Sequence, residues 1–268
     1  MPEIPDLEAI RGFLNERIVG VPIERAEVLI PVVFRVPKDD FIRTLTGNSF
    51  AQIRRHGKFL LFPLADGHLM VINAMLTGRF QYVPADQKRR GKTCMAIGFN
   101  NGQELRYWDQ RLMGKIYLIE LDKLLHVPQF ADMGPDALEI SREEFKERIR
   151  KFTGQIKNIL VNHRFVAGIG NAYADEILFA ARIHPYRKRT SLGPEDIDRL
   201  YDSIGKVFAW ATPIVAELMR DELSYEEWRD FLKIHRKGGE PCPVCGARVS
   251  EITAGQRITN FCRNCQPN

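Results

Sequence analysis

The chain lacks an uninterrupted apolar run of the roughly 18 residues that a transmembrane helix requires. It also lacks a signal peptide pattern, because its first residues are acidic and are interrupted by Pro5 instead of running from a basic to an apolar segment. These two absences argue against a membrane protein and against a secreted one. We therefore expect a cytoplasmic protein with no membrane partner.

Cysteine is scarce over most of the chain, since four of the five cysteines fall near its end. They form two CxxC pairs, Cys242–Cys245 and Cys262–Cys265, with sixteen residues between the pairs. In a reducing compartment this spacing is typical of a tetrahedral zinc site, in which each pair supplies two thiolate ligands. Four thiolates leave no open position for water, so we expect one structural Zn²⁺ and not a catalytic one. The fifth, Cys94, is interpreted as a buried strand residue.

A content of 44% hydrophobic and 27% charged residues is typical of a folded protein. A chain of 268 residues can bury one large core or two modest ones, and its length favours two domains. The formal net charge is +5, which suits a polyanionic partner without requiring one. Lys and Arg also cluster within residues 54–58, 88–92, 187–189 and 235–237. Any one cluster can be a solvated loop, but several on a basic chain favour phosphate contacts.

Pro2 is a candidate nucleophile. Once the initiator methionine is trimmed, Pro2 carries a free secondary amine, and an α-amino group with a pKa near ~8 is partly unprotonated at neutral pH. Such an amine can attack a carbonyl-like carbon and lose water to give an iminium. Glu3 places a carboxylate beside it. The alternative is that Pro2 is an ordinary second residue and that Glu3 is a surface charge.

The first half of the chain has a strand pattern. After a helix predicted over 6–18, short β-branched or aromatic runs are separated by turn residues such as Gly57 and Asn100-Asn101-Gly102. Only residues 37–45 suggest a second helix. This predicts an antiparallel sandwich or barrel-like domain. The eight strands are expected over 23–30, 49–54, 59–63, 68–74, 79–83, 93–99, 104–108 and 115–121.

The second half has a helical pattern. A Pro- and Gly-containing connector over 127–138 precedes a helix that Ser141 can cap, with Glu144 at the capping-box position. A second capping box is expected at Ser224 and Glu227. We predict domains at 1–126 and 139–235, a linker over 127–138 and a zinc finger over 236–268. Further helices are expected over 156–162, 171–181, 195–218 and 224–234.

Two glycines precede the helix predicted over 171–181, in Gly168-Ile169-Gly170-Asn171. Such glycines let backbone amides approach an anion closely, and Asn171 can either cap the helix or donate to a phosphate. A tight connection between helices is the alternative.

Four motifs in this order resemble the formamidopyrimidine-DNA glycosylase and endonuclease VIII family. They are Met1-Pro2-Glu3 at the start, Arg55-His56-Gly57-Lys58 in a hairpin, Gly168 to Glu176 before a helix, and a terminal CxxC finger that contains Arg257. The resemblance covers essentially the whole chain. It implies an α+β multidomain fold with an N-terminal antiparallel β-sandwich, a helix-two-turn-helix domain and a C-terminal four-cysteine zinc finger.

The resemblance also implies an activity and site residues. It implies a monomeric bacterial, nucleoid-associated enzyme of base excision repair that binds double-stranded DNA with damaged bases or abasic sites. Pro2 is similar to the nucleophile that attacks the sugar, and Glu3 to the acid that assists ring opening. Lys58 resembles the catalytic hairpin lysine near the lesion, and Arg257 is assigned a catalytic role as well as a flanking phosphate contact.

The resemblance assigns the remaining DNA contacts. Asn171 resembles the residue that grips the flanking phosphates together with Arg257. Three residues match positions that fill the space left by a flipped base, although core packing is the alternative for the two methionines. The predicted DNA-binding residues are Asn171, Met75, Arg111, Met113, Lys157 and Tyr173.

The chain departs from the family pattern in several places. Leu112 and Met113 stand where the formamidopyrimidine branch has Arg and Phe, Asp6 replaces Glu, and Asn162 replaces Asp. The stretch 222–242 also lacks the Gly-containing insertion that folds over 8-oxoguanine in that branch. We therefore expect oxidised pyrimidines, ring-opened purines or abasic sites to be preferred over 8-oxoguanine.

Two other classes of protein remain open from the sequence. One is a damaged-DNA-binding protein that keeps the scaffold without catalysis, and the other is a zinc-ribbon protein that acts through protein contacts. Pro2 and Glu3 argue against the first, and the spread of basic clusters argues against the second.

Overall fold

The structure is a computed structural model, and it describes residues 1–223, 226–254 and 257–268. The chain divides into two compact units, one of residues 1–131 with 212–227 and one of residues 132–211 with 228–268. The finer division into three domains with a linker stays a prediction. Within the described residues, no helix combines the length and the apolar character that crossing a membrane would require.

The first unit contains two four-stranded antiparallel sheets, as the alternating strand pattern predicts. One sheet has the order β1-β6-β7-β5 and the other the order β2-β3-β4-β8. The strands are β1 (Ile23–Val28), β2 (Arg54–His56), β3 (Phe59–Pro63), β4 (His68–Asn73), β5 (Gly78–Pro84), β6 (Thr93–Phe99), β7 (Gln103–Asp109) and β8 (Lys115–Glu120).

The two sheets face each other across an aromatic core. Phe62 of β3 packs against Phe80 of β5 with ring centroids 6.2 Å apart, and Phe80 packs edge-on against Tyr107 of β7. All three rings are fully buried. Aromatic residues bury large apolar areas and dominate core energetics, so this cluster explains why the sheets form a sandwich.

Helix α1 (Ile4–Ile18) fixes the N-terminus against the sandwich. Asn15 exchanges two hydrogen bonds with the backbone of Ile53, at 3.0 and 2.8 Å, and Glu8 accepts from Arg55 Nε at 2.6 Å. The side chain of Arg55 is 3% exposed, so water screens this ion pair little. The helix predicted over 6–18 is confirmed, and these contacts hold the N-terminal segment against the sandwich. A second helix, α2 (Lys38–Leu45), also belongs to this unit.

The second unit is helical and ends in a small hairpin. Its first helix, α3, begins after Ser141, whose Oγ accepts from the Glu144 backbone N–H at 3.2 Å. The strands β9 (Ser250–Ala254) and β10 (Arg257–Phe261) pair antiparallel and stand between the two CxxC pairs. The helices are α3 (Arg142–Arg150), α4 (Ile156–Leu160), α5 (Asn171–Ala181) and α6 (Pro194–Leu218), of which α6 has residues in both units.

Two sequence-based elements differ from the structure. The strand expected over 49–54 is displaced to β2 at Arg54–His56, with only isolated bridges at Ser49 and Phe50. The helix expected over 224–234 is wrong for the described residues 226–234, which form bends, turns and irregular backbone. Ser224, the proposed cap of that helix, lies outside the described residues.

Candidate functional site

The N-terminus is held in place by local hydrogen bonds. Pro2 and Glu3 are buried, and Glu3 is the N-cap residue that directly precedes α1. The Glu3 backbone N–H donates to Asp6 Oδ2 at 2.8 Å. Asp6, the shorter replacement noted in the sequence, is thus buried in the first turn of α1, where a carboxylate also interacts favourably with the helix dipole.

Met1 precedes Pro2 in the structure, and its amino group donates to Glu227 Oε1 at 2.5 Å. Arg79 Nη2 donates to the same oxygen at 2.8 Å. While Met1 is attached, the Pro2 nitrogen is an amide and cannot act as a nucleophile. Removal of Met1 is therefore a chemical requirement for any reaction at Pro2.

Lys58 lies in a two-residue turn that closes the β2–β3 hairpin, where His56 pairs with Phe59. Gly57 supplies the left-handed backbone conformation that this turn needs, with φ 55°. Lys58 Nζ donates to Gln129 Oε1 at 2.7 Å. Burial and the positive charge of Lys115 lower the pKa of Lys58, so its ammonium releases a proton more readily than an exposed lysine does.

Two loops carry the predicted space-filling residues, and the carboxylate of Asp109 joins them. Its Oδ1 accepts from Thr77 Oγ1 at 2.5 Å and from the Arg111 backbone N–H at 3.1 Å, while its Oδ2 accepts from the Gly114 N–H at 2.6 Å. Asp109 is fully buried. One side chain therefore orders both loops.

Each of these loops contains a non-glycine residue in the left-handed region. Met75 has φ 50° and Leu112 has φ 55°. Such conformations cost of order 1–3 kcal/mol for ordinary side chains and persist only where the surroundings impose them. Met75 is half-buried and Met113 is 36% exposed, so neither methionine is fully buried in a hydrophobic core.

Asn171 and the strand of Arg257 are directly linked in the second unit. Asn171 is the first residue of α5, after the N-cap Gly170, and its Nδ2 donates to the Ile258 carbonyl at 2.9 Å. Its Oδ1 is buried without a hydrogen bond among the described residues. Arg257 is exposed at the start of β10. The Asn171 amide does not cap α5, which is one of the two roles considered for it.

Lys157 and Tyr173 are buried, which bears on their predicted contact with DNA. Lys157 is 5% exposed and Tyr173 is 0% exposed, with its ring packed 5.7 Å from that of Phe208. In this conformation the Tyr173 side chain has no surface to offer a ligand, which leaves its backbone amide in the first turn of α5. A direct contact by either residue stays a prediction.

Lys157 instead belongs to a polar network that the sequence did not reveal. Its ammonium contacts Asp175 Oδ1 at 2.6 Å and Thr259 Oγ1 at 2.9 Å, and His235 Nδ1 lies 2.7 Å from Asp175 Oδ2. Asp175 lies four residues after Asn171, on the same face of α5. That spacing is the one weak indication in the sequence that the two side chains share the same surroundings. The neighbouring carboxylate, Glu176, accepts from the backbone N–H groups of residues 233, 234 and 235.

The four terminal cysteines form the metal site that their spacing predicts. Cys242 Sγ and Cys265 Sγ are 3.8 Å apart, Cys245 Sγ and Cys262 Sγ are 3.5 Å apart, and all four sulfurs lie within 4.8 Å of one another. Ligands placed about 2.3 Å from a tetrahedral Zn²⁺ stand roughly 3.8 Å from each other. The donor set fits one structural zinc, which would fix the ends of the β9–β10 hairpin.

Three family profiles match the chain. Residues 1–116 match the formamidopyrimidine-DNA glycosylase N-terminal domain, residues 133–220 its H2TH domain, and residues 239–268 the zinc finger found in FPG and IleRS.

Curated relatives match over at least 90% of their length. The formamidopyrimidine-DNA glycosylase of Symbiobacterium thermophilum is 36% identical over 100% of this chain and 90% of its own, and that of Desulforamulus reducens is 33% identical over 99% of both. Among solved structures, Lactococcus lactis Fpg in complex with DNA containing N7-benzyl-Fapy-dG superimposes with a TM-score of 0.91 at 31% identity, covering 100% of both chains. The complex of that enzyme with abasic-site DNA gives a TM-score of 0.90 at 29% identity, with the same coverage.

Taken together, the sandwich, the helical region and the four-cysteine finger define a DNA glycosylase architecture. The chain belongs to the formamidopyrimidine-DNA glycosylase family, and it is a DNA glycosylase of base excision repair. The α+β fold with sandwich, H2TH region and zinc finger is confirmed. The site residues group as Pro2, Glu3, Lys58, Met75, Arg111 and Met113 in the first unit, and Lys157, Asn171, Tyr173, Arg257 and the four cysteines in the second.

Proposed function

We propose that this chain is a bifunctional glycosylase and abasic-site lyase that acts as a monomer on double-stranded DNA in the bacterial cytoplasm. The observation that carries the proposal is the fixed N-terminus: Pro2 is buried where α1 begins, and Asp6 holds the backbone of the adjacent Glu3. A nucleophile gains from being held in one geometry, because the ordering entropy is lost before the reaction and not during it. The abasic-site DNA bound by the Lactococcus lactis relative supports the choice of ligand.

The proposed reaction begins when the processed Pro2 amine forms a bond to the sugar C1′. The C1′–N bond to the base breaks, and the base leaves with the bonding electrons and takes up the proton that the Pro2 nitrogen loses. Opening of the sugar ring breaks the C1′–O4′ bond and leaves an iminium, while Glu3 supplies the proton that O4′ takes up. The loss of a proton from C2′ then expels the 3′ phosphate, the loss of a second proton, from C4′, expels the 5′ phosphate, and water hydrolyses the iminium to free Pro2.

The remaining residues bind and orient the strand in this proposal. Lys58, with its lowered pKa, can either contact a phosphate or exchange a proton during elimination. Asn171 and Arg257 hold the phosphates that flank the flipped nucleotide. Met75, Arg111 and Met113 fill the space that the flipped base leaves, which offsets part of the few kcal/mol that unstacking costs.

Borohydride reduction of the iminium tests the mechanism. We expect protein with Met1 removed, as verified by mass spectrometry, to become covalently linked to abasic duplex DNA. Blocking the terminus by acetylation should abolish the linkage, whereas Pro2→Gly should keep part of it, because glycine still offers an amine. Linkage that is indifferent to blocking would refute the assignment of Pro2, and binding without linkage would identify a non-catalytic damage-binding protein.

We further propose that oxidised pyrimidines, ring-opened purines and abasic sites are preferred over 8-oxoguanine. The support is the short segment between residues 222 and 242, which lacks the insertion that covers an extruded 8-oxoguanine in related enzymes. Duplexes with single lesions, compared by single-turnover excision rates, are expected to favour an oxidised pyrimidine by at least tenfold. Equal or faster release of 8-oxoguanine opposite cytosine would contradict this preference.

A further inference from the structure

We infer that Lys157, Asp175 and His235 form a positioning network that sets the strand carrying Arg257 against the helix carrying Asn171. The inference rests on the proposed function, and it gives Lys157 a role other than direct contact with DNA. All three side chains belong to residues that are at most 5% exposed. Charged groups are seldom buried to this extent unless they are paired and hydrogen-bonded.

The ammonium of Lys157 is occupied by protein groups. It donates to Asp175 Oδ1 at 2.6 Å, to Thr259 Oγ1 at 2.9 Å and to the Ile258 carbonyl at 3.1 Å. An ammonium has three N–H donors, and these three acceptors match that number. A phosphate could bind Lys157 only by displacing one of them from a buried position.

Asp175 extends the same network to two other segments. Its Oδ2 lies 2.7 Å from His235 Nδ1 and accepts from the Asn260 backbone N–H at 3.2 Å. Lys157 is on α4, Asp175 is on α5 and Asn260 is on β10. One buried carboxylate therefore connects two helices, the hairpin strand and the segment that leads into the zinc finger.

The carbonyl of Ile258 is the point at which the network meets the proposed phosphate contacts. It accepts from Lys157 Nζ and from Asn171 Nδ2. Arg257 is the residue before it in β10. Arg257 and Ile258 are consecutive residues of one strand, about 3.3 Å apart. Because they are covalently joined neighbours, a shift of the Ile258 carbonyl also moves the backbone of Arg257.

This arrangement fixes the distance between Asn171 and Arg257 without using the side chain of Arg257. A geometric error of about 1 Å at such positions can cost on the order of 100-fold in rate. Lys157 and Asp175 are therefore expected to affect binding and catalysis through the placement of Arg257 relative to Asn171.

The salt dependence of binding distinguishes a positioning lysine from one that contacts phosphate. The slope of log K against log salt concentration is negative, and each lost phosphate contact makes it less negative by about 0.9. With a duplex that carries a tetrahydrofuran abasic-site analogue, Lys157→Met should weaken binding by about tenfold and leave the slope unchanged, because a displaced Arg257 keeps its charge near the phosphate. Arg257→Ala should make the slope less negative by about 0.9. Lys206→Met, which removes an exposed lysine from the same unit, controls for the loss of one positive charge.

A double-mutant cycle tests whether Lys157 acts through Arg257. On the Arg257→Ala background, Lys157→Met should change affinity by less than about twofold, because the group that it positions is already absent. Hydrogen exchange of residues 257–261 should also rise in Lys157→Met, while that of residues 93–99 stays as in the wild type. A slope that becomes less negative by about 0.9 in Lys157→Met, or single effects that multiply in the double variant, would overturn the inference.

A second variant guards against misfolding of the first. If Lys157→Met binds less than one zinc, Asp175→Asn replaces it, since the amide keeps one acceptor oxygen at the centre of the network. The same unchanged slope and the same lack of additivity with Arg257→Ala are expected, and independent effects would again overturn the inference. Borohydride linkage of the wild-type protein to abasic DNA tests the proposed lyase function separately. The lyase proposal and the positioning network can therefore fail independently.

Discussion

Asp109 shows how much of a binding surface can depend on one side chain. Its carboxylate receives hydrogen bonds from Thr77, Arg111 and Gly114, which belong to two loops. The local motif around Asp109 is visible in the sequence, but its partner Thr77 lies 32 positions earlier. The fold alone brings the two together, so the role of Asp109 could not be predicted from local pattern.

The variant Asp109→Asn tests this dependence with little change in shape. In one orientation the new amide group faces the buried Gly114 N–H, which loses its acceptor, and in the other it faces the Arg111 N–H, which keeps Thr77 Oγ1 as an acceptor at 3.1 Å. We expect a loss of about 1–2 kcal/mol in the free energy of unfolding by urea, because the second orientation leaves no donor unsatisfied but replaces charge-assisted hydrogen bonds with neutral ones of about half the strength. The exposed Asp86→Asn is the matched control, and a loss below about 0.5 kcal/mol in Asp109→Asn would contradict the expectation.

At the scale of the element, the bounds of several strands and helices follow from local pattern. β3 at Phe59–Pro63, β6 at Thr93–Phe99 and α5 at Asn171–Ala181 begin and end where the sequence predicts. A turn or capping residue stands near one end of each: Gly57 lies two positions before β3, Asn100 directly follows β6, and Gly170 is the N-cap of α5. Such residues act through local backbone geometry. Local geometry is the kind of information that one sequence contains.

The helix expected over 224–234 fails for a physical reason that is not local. The backbone N–H groups of Lys233, Ile234 and His235 donate to the Glu176 carboxylate at 2.9–3.1 Å. Those donors are therefore not available for intrahelical bonds, although apolar residues in the segment recur at helical spacing. Glu176 is 57 positions away from Lys233, and only the tertiary fold brings it near.

A charged cluster joins β1, β7 and the basic loop at 85–92. Glu104 of β7 is fully buried and accepts from Arg25 and Arg89 at 2.9 Å each, and also from the buried Arg106. Burial by itself would raise the pKa of Glu104, but the hydrogen bonds from Arg89, Arg106 and Arg25 outweigh it, and the net effect lowers that pKa. A carboxyl with a lowered pKa in the folded state stabilises the fold above its unfolded pKa.

This sign predicts a specific dependence of stability on pH. The contribution of Glu104 is complete above the unfolded value of about 4.3 and is lost as the pH falls through the lower folded value. We expect Glu104→Gln to lose about 3 kcal/mol at pH 7, since Arg106 is left without a buried counter-charge. The difference from the wild type should narrow as the pH falls below about 4.3. Urea unfolding at several pH values checks this, with the exposed Glu24→Gln as control, and a difference that stays constant with pH would contradict it.

At the scale of the whole molecule, motif order gives more than any single motif. Pro2, Lys58, Asn171 and Arg257 are weak signals one by one, and only their sequence along the chain, together with the CxxC pairs, indicates the family. The buried roles of Lys157 and Asp175 are a different case. The family resemblance assigns Lys157 to DNA binding, and nothing in the local sequence shows that Thr259, 102 positions later, accepts a hydrogen bond from its ammonium.

Removal of zinc is expected to affect the second unit and to spare the sandwich. The β9–β10 hairpin lies between the two metal-binding pairs, and so small a module has too little core to stay folded without its ion. Because β10 supplies the partners of Lys157 and Asn171, loss of the hairpin should also release α4 from α5 near Asp175.

Chelation, or the variant Cys262→Ser, should therefore raise hydrogen exchange strongly in residues 250–261 and moderately in residues 156–160. Residues 59–63 and 68–73 belong to the other unit and have their own aromatic core, so their exchange should stay within about twofold of the zinc-loaded protein. Cys94→Ser, which changes a buried cysteine outside the metal site, is the matched control for the loss of a thiol. Equal protection of residues 250–261 with and without zinc would show that the hairpin does not need the metal, and simultaneous unfolding of residues 59–73 would show that the two units do not unfold separately.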